Sequence, residues 1–436
     1  IEVAIVRPGP IQGGMVHPYL RRRQKVEPVS YPSPEVEGVL ERTLGVPIFQ
    51  EQVMQLSIVA AGFTPGEADR LRRAMAAWRR KGGLEPFEMK LVDGMRARGY
   101  DEAFARQIFQ QILGFGEYGF PESHAASFAL LVYVSAWLKH HHPAAFLCGL
   151  LNSLPMGFYA PAQLIQDARR HGVTVLPVDV MVSGRGCVLE AATGSGVAPG
   201  PSASARLGLS MVDGLGEPAT QRIVAARAVR PFDGIEDLAR RATLDAREMR
   251  LLASAGALAA LAGHRHHALW LAAGSQPPPS LLHASQIADS ALELTAPSEG
   301  ENLVADYRAM GFTLGRHPLA LLRRHLARMR CETSQEINEA PHRKLARAAG
   351  VVTCRQRPGT ASGVVFVTME DETGTTNVIV HADLVERQRR ELLASRLMGV
   401  YGQVQREGRV VHLIAKRLVD VSHLLGRLAT HSRDFH

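Results

Sequence analysis

Arg72 and Arg73 stand side by side in the stretch GEADRLRRAM. On a helix, neighbouring residues point about 100° apart, so two adjacent guanidinium forks can take different oxygens of one polyphosphate. The same pair also fits a surface helix with basic side chains lying along it. In ESHAASF, His124, Ser127 and Phe128 follow the spacing i, i+3, i+4, which gathers an imidazole, a hydroxyl and a ring on one helix face. They can contact a nucleotide, or act as hydrogen-bonded polar groups of a core. A third set is Val212-Asp213-Gly214-Leu215-Gly216, followed by Ala219, Arg222 and Ile223. This glycine-hydrophobic-glycine turn joins two short helices as in a helix-hairpin-helix. Its backbone N–H groups, at a helix N-terminus, suit a phosphate oxygen and read no base. A plain helix-turn packing unit is the alternative.

The second set needs a long helix behind a loop. Gly114, Gly116 and Gly119 precede Pro121, a residue suited to a first helical turn, so a helix is expected to start near Pro121 or Glu122. From Ser123 the run is apolar on nearly every side and halts where Lys139, His140, His141 and His142 meet Pro143. Such a helix is expected to be buried all round. Upstream, Arg7-Pro8-Gly9-Pro10 makes a rigid turn, Arg21, Arg22, Arg23 and Lys25 form a basic cluster, and an apolar helical spacing runs from Phe49 to Ala60. Gln50, Glu51 and Gln52 at the start of that helix are caps or contacts. Downstream, CVLEA and ARLGLS can pair as a small hairpin. Five strand-like runs between about Leu345 and Val421, with the charged helix ERQRRELLASR between the third and fourth, follow the order of an OB-fold barrel, whose open face commonly takes single-stranded nucleic acid. Arg355, Arg357, Phe366 and Arg406 are the candidates for that face, with Phe366 reading more readily as core.

Composition narrows the class of molecule. The chain has 436 residues and 46% hydrophobic residues, enough for several cored domains and unlike a disordered tail. Fifty Lys and Arg against 42 Asp and Glu give +8, a balance that suits a polyanionic partner and equally a plain basic surface. The four cysteines, Cys148, Cys187, Cys331 and Cys354, are scattered singly and make neither a disulfide framework nor a CxxC zinc site. His264, His266 and His267 lack cysteine or carboxylate at ligand spacing, so no metal site is expected. No apolar run reaches a membrane span, and cytoplasmic placement is the expectation.

RPGP, FQEQVMQ, GEADRLRRAM, the GEYGF loop and ESHAASFALLVYVSAWLKHHHPAAF, in that order, resemble the fingers domain of bacterial DNA polymerase III alpha subunits. The resemblance implies template-directed nucleotidyl transfer. Two Mg2+ ions held by palm aspartates activate the primer terminus, and fingers residues clamp the incoming dNTP. By motif match Arg72 and Arg73 hold the triphosphate, with His124 and Ser127 lining the nucleotide pocket. Primer-template DNA is gripped downstream by Gly214, Leu215, Gly216 and Arg222, and at the barrel by Arg355, Arg357 and Arg406. The family's palm aspartates precede the RPGP turn, and this chain opens after them at Ile1, so it is expected to be a piece of a longer chain that binds without catalysing. GFTLGRHPL, from Gly311 to Leu319, again resembles the family.

The expected architecture is therefore multidomain: a mainly α fingers domain over 1–182, a helix-hairpin-helix DNA-binding region over 183–260, a linker and helical connector over 261–344, a β-barrel OB-fold over 345–425, and a tail over 426–436. The close at LGRLATHSRDFH lacks the domain that binds the clamp-loader tau subunit, and QIADSAL fits a clamp-binding peptide poorly. Both features resemble the error-prone, damage-inducible alpha-subunit paralogue, the ImuC kind. That kind carries out translesion synthesis in a mutasome whose partner proteins bring it to the sliding clamp. The competing reading is a noncatalytic DNA-binding module or scaffold built from helix-hairpin-helix and OB folds.

Overall fold

Residues 1–5, 16–75, 85–114, 121–156, 159–191, 203–275, 294–358, 363–428, 430 and 432–435 are described by a computed structural model. The RPGP turn, the GEYGF loop and the QIADSAL stretch lie outside them. The chain divides at residues 136/137 into two units, taken separately below.

The first unit is helical. After helix α1 (Val16–Arg23) come α2 (Pro34–Leu40), α3 (Gln50–Ala61), α4 (Pro65–Met75), α5 (Glu85–Ala97) and α6 (Glu102–Gly114). Their apolar faces meet in one core that includes Leu40, Val53, Leu56, Leu71, Met75, Met95 and Ile112. The FQEQ question resolves at Gln52, which is buried. Its Oε1 accepts from Ile48 N and Phe49 N, and its Nε2 donates to Val39 O and Thr43 Oγ1. A buried amide with all four bonds made fixes where α3 begins.

Helix α7 (Glu122–His141) starts and stops where its proline and cationic end require. Its burial is a correction. None of its residues is buried, and Leu130, Leu131 and Tyr133 are 60–70% exposed. Among the described residues of the first unit only Ala125 and Phe128 of this helix pack on the core. An all-apolar helix needs cover on every side, and among the described residues of the first unit cover reaches only its first turns.

The second unit opens with α8 (Pro143–Asn152) and α9 (Pro161–Arg170). Strand β2 (Val188–Glu190) pairs antiparallel with β3 (Ser204–Arg206), the hairpin expected from CVLEA and ARLGLS, and β1 (Val175–Leu176) adds to β3 in parallel. Helices α10 (Glu217–Val229), α11 (Ile235–Arg241), α12 (Ala246–Ser254), α13 (Arg265–Gly274), α14 (Glu299–Met310) and α15 (Pro318–Arg328) follow. A single apolar core runs from Ala144 to Phe312, so the three-stranded sheet and its core span position 183, where the sequence suggests a domain limit.

Strands β4 (Leu345–Gln356), β5 (Val365–Glu370), β6 (Thr375–Val380), β7 (Leu397–Glu407) and β8 (Val410–Asp420) form a closed barrel in the order β5-β6-β8-β7-β4, with β4 pairing back to β5. Two short helices, Ala382–Arg387 and Arg389–Ala394, fill the interval between β6 and β7. This is the OB order. Inward residues such as Val367, Val378, Val400 and Leu413 alternate with outward ones, as period-2 strands closing on a core must. The last residues are not a loose end: β9 (Arg433–Phe435) pairs in parallel with β4.

Candidate functional site

Helix α4 presents Arg72, half-buried, and Arg73, exposed to solvent, on its last turn. Arg72 Nε donates to Asp69 Oδ1 at 3.0 Å, and Arg73 Nη2 donates to Asp69 Oδ2. One carboxylate thus bridges two guanidinium groups, and those hydrogen bonds, from Arg72 and then Arg73, hold its pKa below the usual carboxylate value. The arginines are neither buried nor sealed. Asp69 draws both forks toward one point, in the arrangement an anionic oxygen bridging the pair would need. Helix α4 is itself tied down: Lys90 of α5 donates to Glu67, and this contact, with bonds from Thr64, holds the Glu67 carboxyl down to about 2.

His124 and Ser127 lie near the exposed start of α7. The His124 ring meets Phe128 edge-on, with centroids 4.5 Å apart, and Ser127 Oγ donates to Ser123 O at 3.1 Å. The face expected from their spacing is present. Its foot is anchored in the first unit, where Glu122 N donates to Glu51 Oε2 at 2.8 Å and Arg42 pairs with Glu122.

In the second unit, Gly214 takes φ +76°, a left-handed conformation that glycine adopts without strain, and so turns the chain into α10, with Gly216 at the N-cap and Pro218 in the first turn. Asp213 N donates to Ala309 O and Leu215 N to Val212 O. Among the described residues the amides of Gly214 and Gly216 have no such acceptor, which leaves donors at the positive end of the helix. Arg222 is a correction. It turns inward, with Nε donating to Ala242 O at 2.9 Å and Nη2 to both Glu248 oxygens, so it clamps α10 to α12. The cation beside the hairpin is Arg247, exposed, with Nη2 3.4 Å from the position a β-carbon on Gly214 would take. The sequence carries no local signal for Arg247, because its place comes from α12 folding back over the turn.

Arg355 is the second correction. It is 5% exposed, with Nε donating to Leu392 O and Nη1 to Ser432 Oγ, both at 2.6 Å, and Nη1 pairs with Asp434 at 3.2 Å. It closes the barrel onto the last residues. Arg406, half-buried, donates Nε to Ala340 O and Nη2 to Asn338 O, which ties one edge of its guanidinium into the fold. Arg357 remains exposed at the end of β4. Phe366 is half-buried between the inward Val365 and Val367, which puts its ring on the outer side of the β5–β6 face and not in the core. Among the described residues no group of His, Cys, Asp or Glu could hold a metal ion.

Residues 1–99 match the bacterial DNA polymerase III alpha subunit finger domain, and residues 172–268 match a helix-hairpin-helix motif. Over its whole length the chain is 62% identical to an error-prone DNA polymerase of Aromatoleum aromaticum and 62% identical to one of Dechloromonas aromatica, and it covers 42% of each. A third relative of that name, from Methylococcus capsulatus, is 59% identical, with 43% of it covered. The chain thus spans less than half the length of these relatives. Among solved structures, an asparaginyl-tRNA synthetase from Pyrococcus horikoshii aligns over 21% of the chain and 23% of its own at a TM-score of 0.19, too low to carry argument.

Proposed function

We propose that this chain, which belongs to the bacterial DNA polymerase III alpha-subunit family, is the fingers and DNA-gripping part of an error-prone DNA polymerase acting in damage-induced translesion synthesis. The observation that carries the reading is 62% identity to two such polymerases across the chain's full length. In this reading Arg72 and Arg73 exchange Asp69 for oxygens of the dNTP triphosphate, whose greater charge outcompetes one carboxylate. His124 and Ser127 line the nucleotide pocket. The Gly214–Leu215–Gly216 hairpin, with Arg247 beside it, takes the backbone of primer-template DNA, and the barrel takes single strand over Arg357 and Phe366. In this reading Mg2+ is held by palm aspartates of the longer polymerase. Mutasome proteins and, through them, the sliding clamp are the expected partners in a bacterial cytoplasm.

The experiment is primer extension by the longer protein with Arg72→Ala and Arg73→Ala. The KM for dNTP should rise about tenfold or more in each, as loss of one charge-assisted contact entails. Unchanged KM in both would remove the triphosphate assignment. Absence of extension by the unmutated longer protein would remove the polymerase reading.

A further inference from the structure

Three outward-facing side chains stand in register across the middle of the barrel: Arg347 on β4 lies opposite Tyr401 on β7, which lies opposite Arg417 on β8. Their neighbours Ala346, Ala348, Val400 and Leu418 point into the barrel core, so the row stands on the outer surface. The guanidinium carbons sit over the Tyr401 ring, at 4.8 Å for Arg347 and 5.8 Å for Arg417. Both arginines are exposed, and among the described residues neither has an ion pair or a side-chain hydrogen bond. The nearby carboxylate of Glu332, whose N–H donates to Arg347 O, is held by Lys344 at 2.6 Å. Farther along the same strands the outer face is roofed: Ala349, Val351, Leu397 and Val419 pack with Leu303, Leu319 and Leu326 of α14 and α15. The row begins where that roof ends.

Two cations two strand spacings apart, about 10 Å, repel each other and would ordinarily recruit acids. Here an aromatic ring steadies both and leaves their donors outward, so they are pre-organised for an anion the protein itself does not supply. We infer that Arg347, Tyr401 and Arg417 form a second single-strand tract on the barrel, apart from the β5–β6 face that carries Phe366, with the guanidinium groups taking backbone phosphates and the flat ring and forks meeting unstacked bases. The flat groups favour a single strand, because duplex bases are stacked away from such a surface. This rests on the DNA-binding reading proposed above.

The test uses the full 436-residue chain with fluorescein-labelled oligo(dT) and a random-sequence duplex, followed by anisotropy across a salt series. With Arg347→Gln and Arg417→Gln together, single-strand affinity should fall about tenfold and the salt slope should lessen by about 1.4, two phosphates at about 0.7 each, while duplex affinity stays within about twofold. Tyr401→Leu, which frees both arginines, should weaken single-strand binding while leaving the salt slope near that of the unmutated chain. Thermal melts establish that each variant is folded. Unchanged single-strand affinity in a folded double variant, or an equal loss on duplex, overturns this inference alone. If the unmutated chain binds neither DNA, the proposed function falls and the tract with it.

Discussion

Arg355, Arg222 and Arg247 carry the same charge, and what separates them is where their donors end. A guanidinium whose forks finish on Leu392 O, Ser432 and Asp434 has nothing left for a phosphate, whereas Arg247 stays exposed beside the hairpin glycine. Arg355→Ala should therefore cost about 3 kcal/mol or more of stability, because it strands buried acceptors, while the slope of DNA affinity against salt is unchanged. Denaturant unfolding and a salt titration on the same variant check this, and a reduced slope would return Arg355 to the DNA face. Arg247→Ala should do the reverse, lessening the duplex slope by about 0.9 with little change in melting temperature. Sequence alone discloses that these positions are basic. It does not disclose their partners: Glu248 lies 26 residues from Arg222 and Asp434 lies 79 from Arg355, beyond any local spacing rule.

Elements were more legible than residues because their causes are local. The glycine-proline start and His-Pro end of α7, the β2–β3 hairpin and the five barrel strands follow from periodicity and turn residues. The burial of α7 was not legible, since periodicity tells how much surface seeks cover and nothing about which part of a protein provides it. Gly94 shows a packing constraint equally hidden from pattern: a methyl there would run into the carbonyl oxygen of Ala61, so α3 and α5 touch backbone to backbone. Gly94→Ala should destabilise the first unit by about 1–3 kcal/mol, measured by chemical unfolding, and a neutral result would mean the helices slide apart freely. At the head of α15, His317 Nδ1 accepts from Leu319 N, and burial lowers the His317 pKa to about 4, against the raising influence of Glu372 and Asp371 and with Arg170 and Arg323 lowering it further. A histidine kept neutral in the fold and free to protonate when unfolded contributes stability above about pH 6.5 that fades as pH falls toward about 4. Glu370, 3.8 Å from His317 Nε2, has a carboxyl raised by burial and acts in the opposite sense as pH rises through its range. His317→Asn keeps a capping acceptor without the titration, so its stability should fall less than the unmutated chain's between pH 6.5 and 4. Parallel pH curves would exclude His317 as the cause.

At the scale of the molecule, the order of fingers, hairpin and barrel was readable because each module carries its own turn chemistry. The extent of the modules was less so, since one core joins residues 144 to 312 without a break. A charge of +8 has meaning for function only if its cations stay outside internal ion pairs, and here several do not: Arg230, Arg240 and Arg241 all close on Asp237, and Arg323 closes on Asp371 and Glu372. On the proposed reading, the outward Arg247 serves duplex, while the outward Arg347, Arg357 and Arg417 serve single strand on the barrel. Three phosphate contacts on the barrel at about 0.7 each give a slope of about −2.1 for log affinity against log salt on single strand. Between about 50 and 200 mM salt, single-strand affinity should therefore drop about twentyfold and differ little among sequences, since guanidinium groups meet phosphates before bases. Anisotropy with several unrelated oligonucleotides measures both. A slope approaching −8, the net charge, would mean that the internally paired arginines also reach DNA, and strong sequence preference at a shallow slope would contradict a backbone grip.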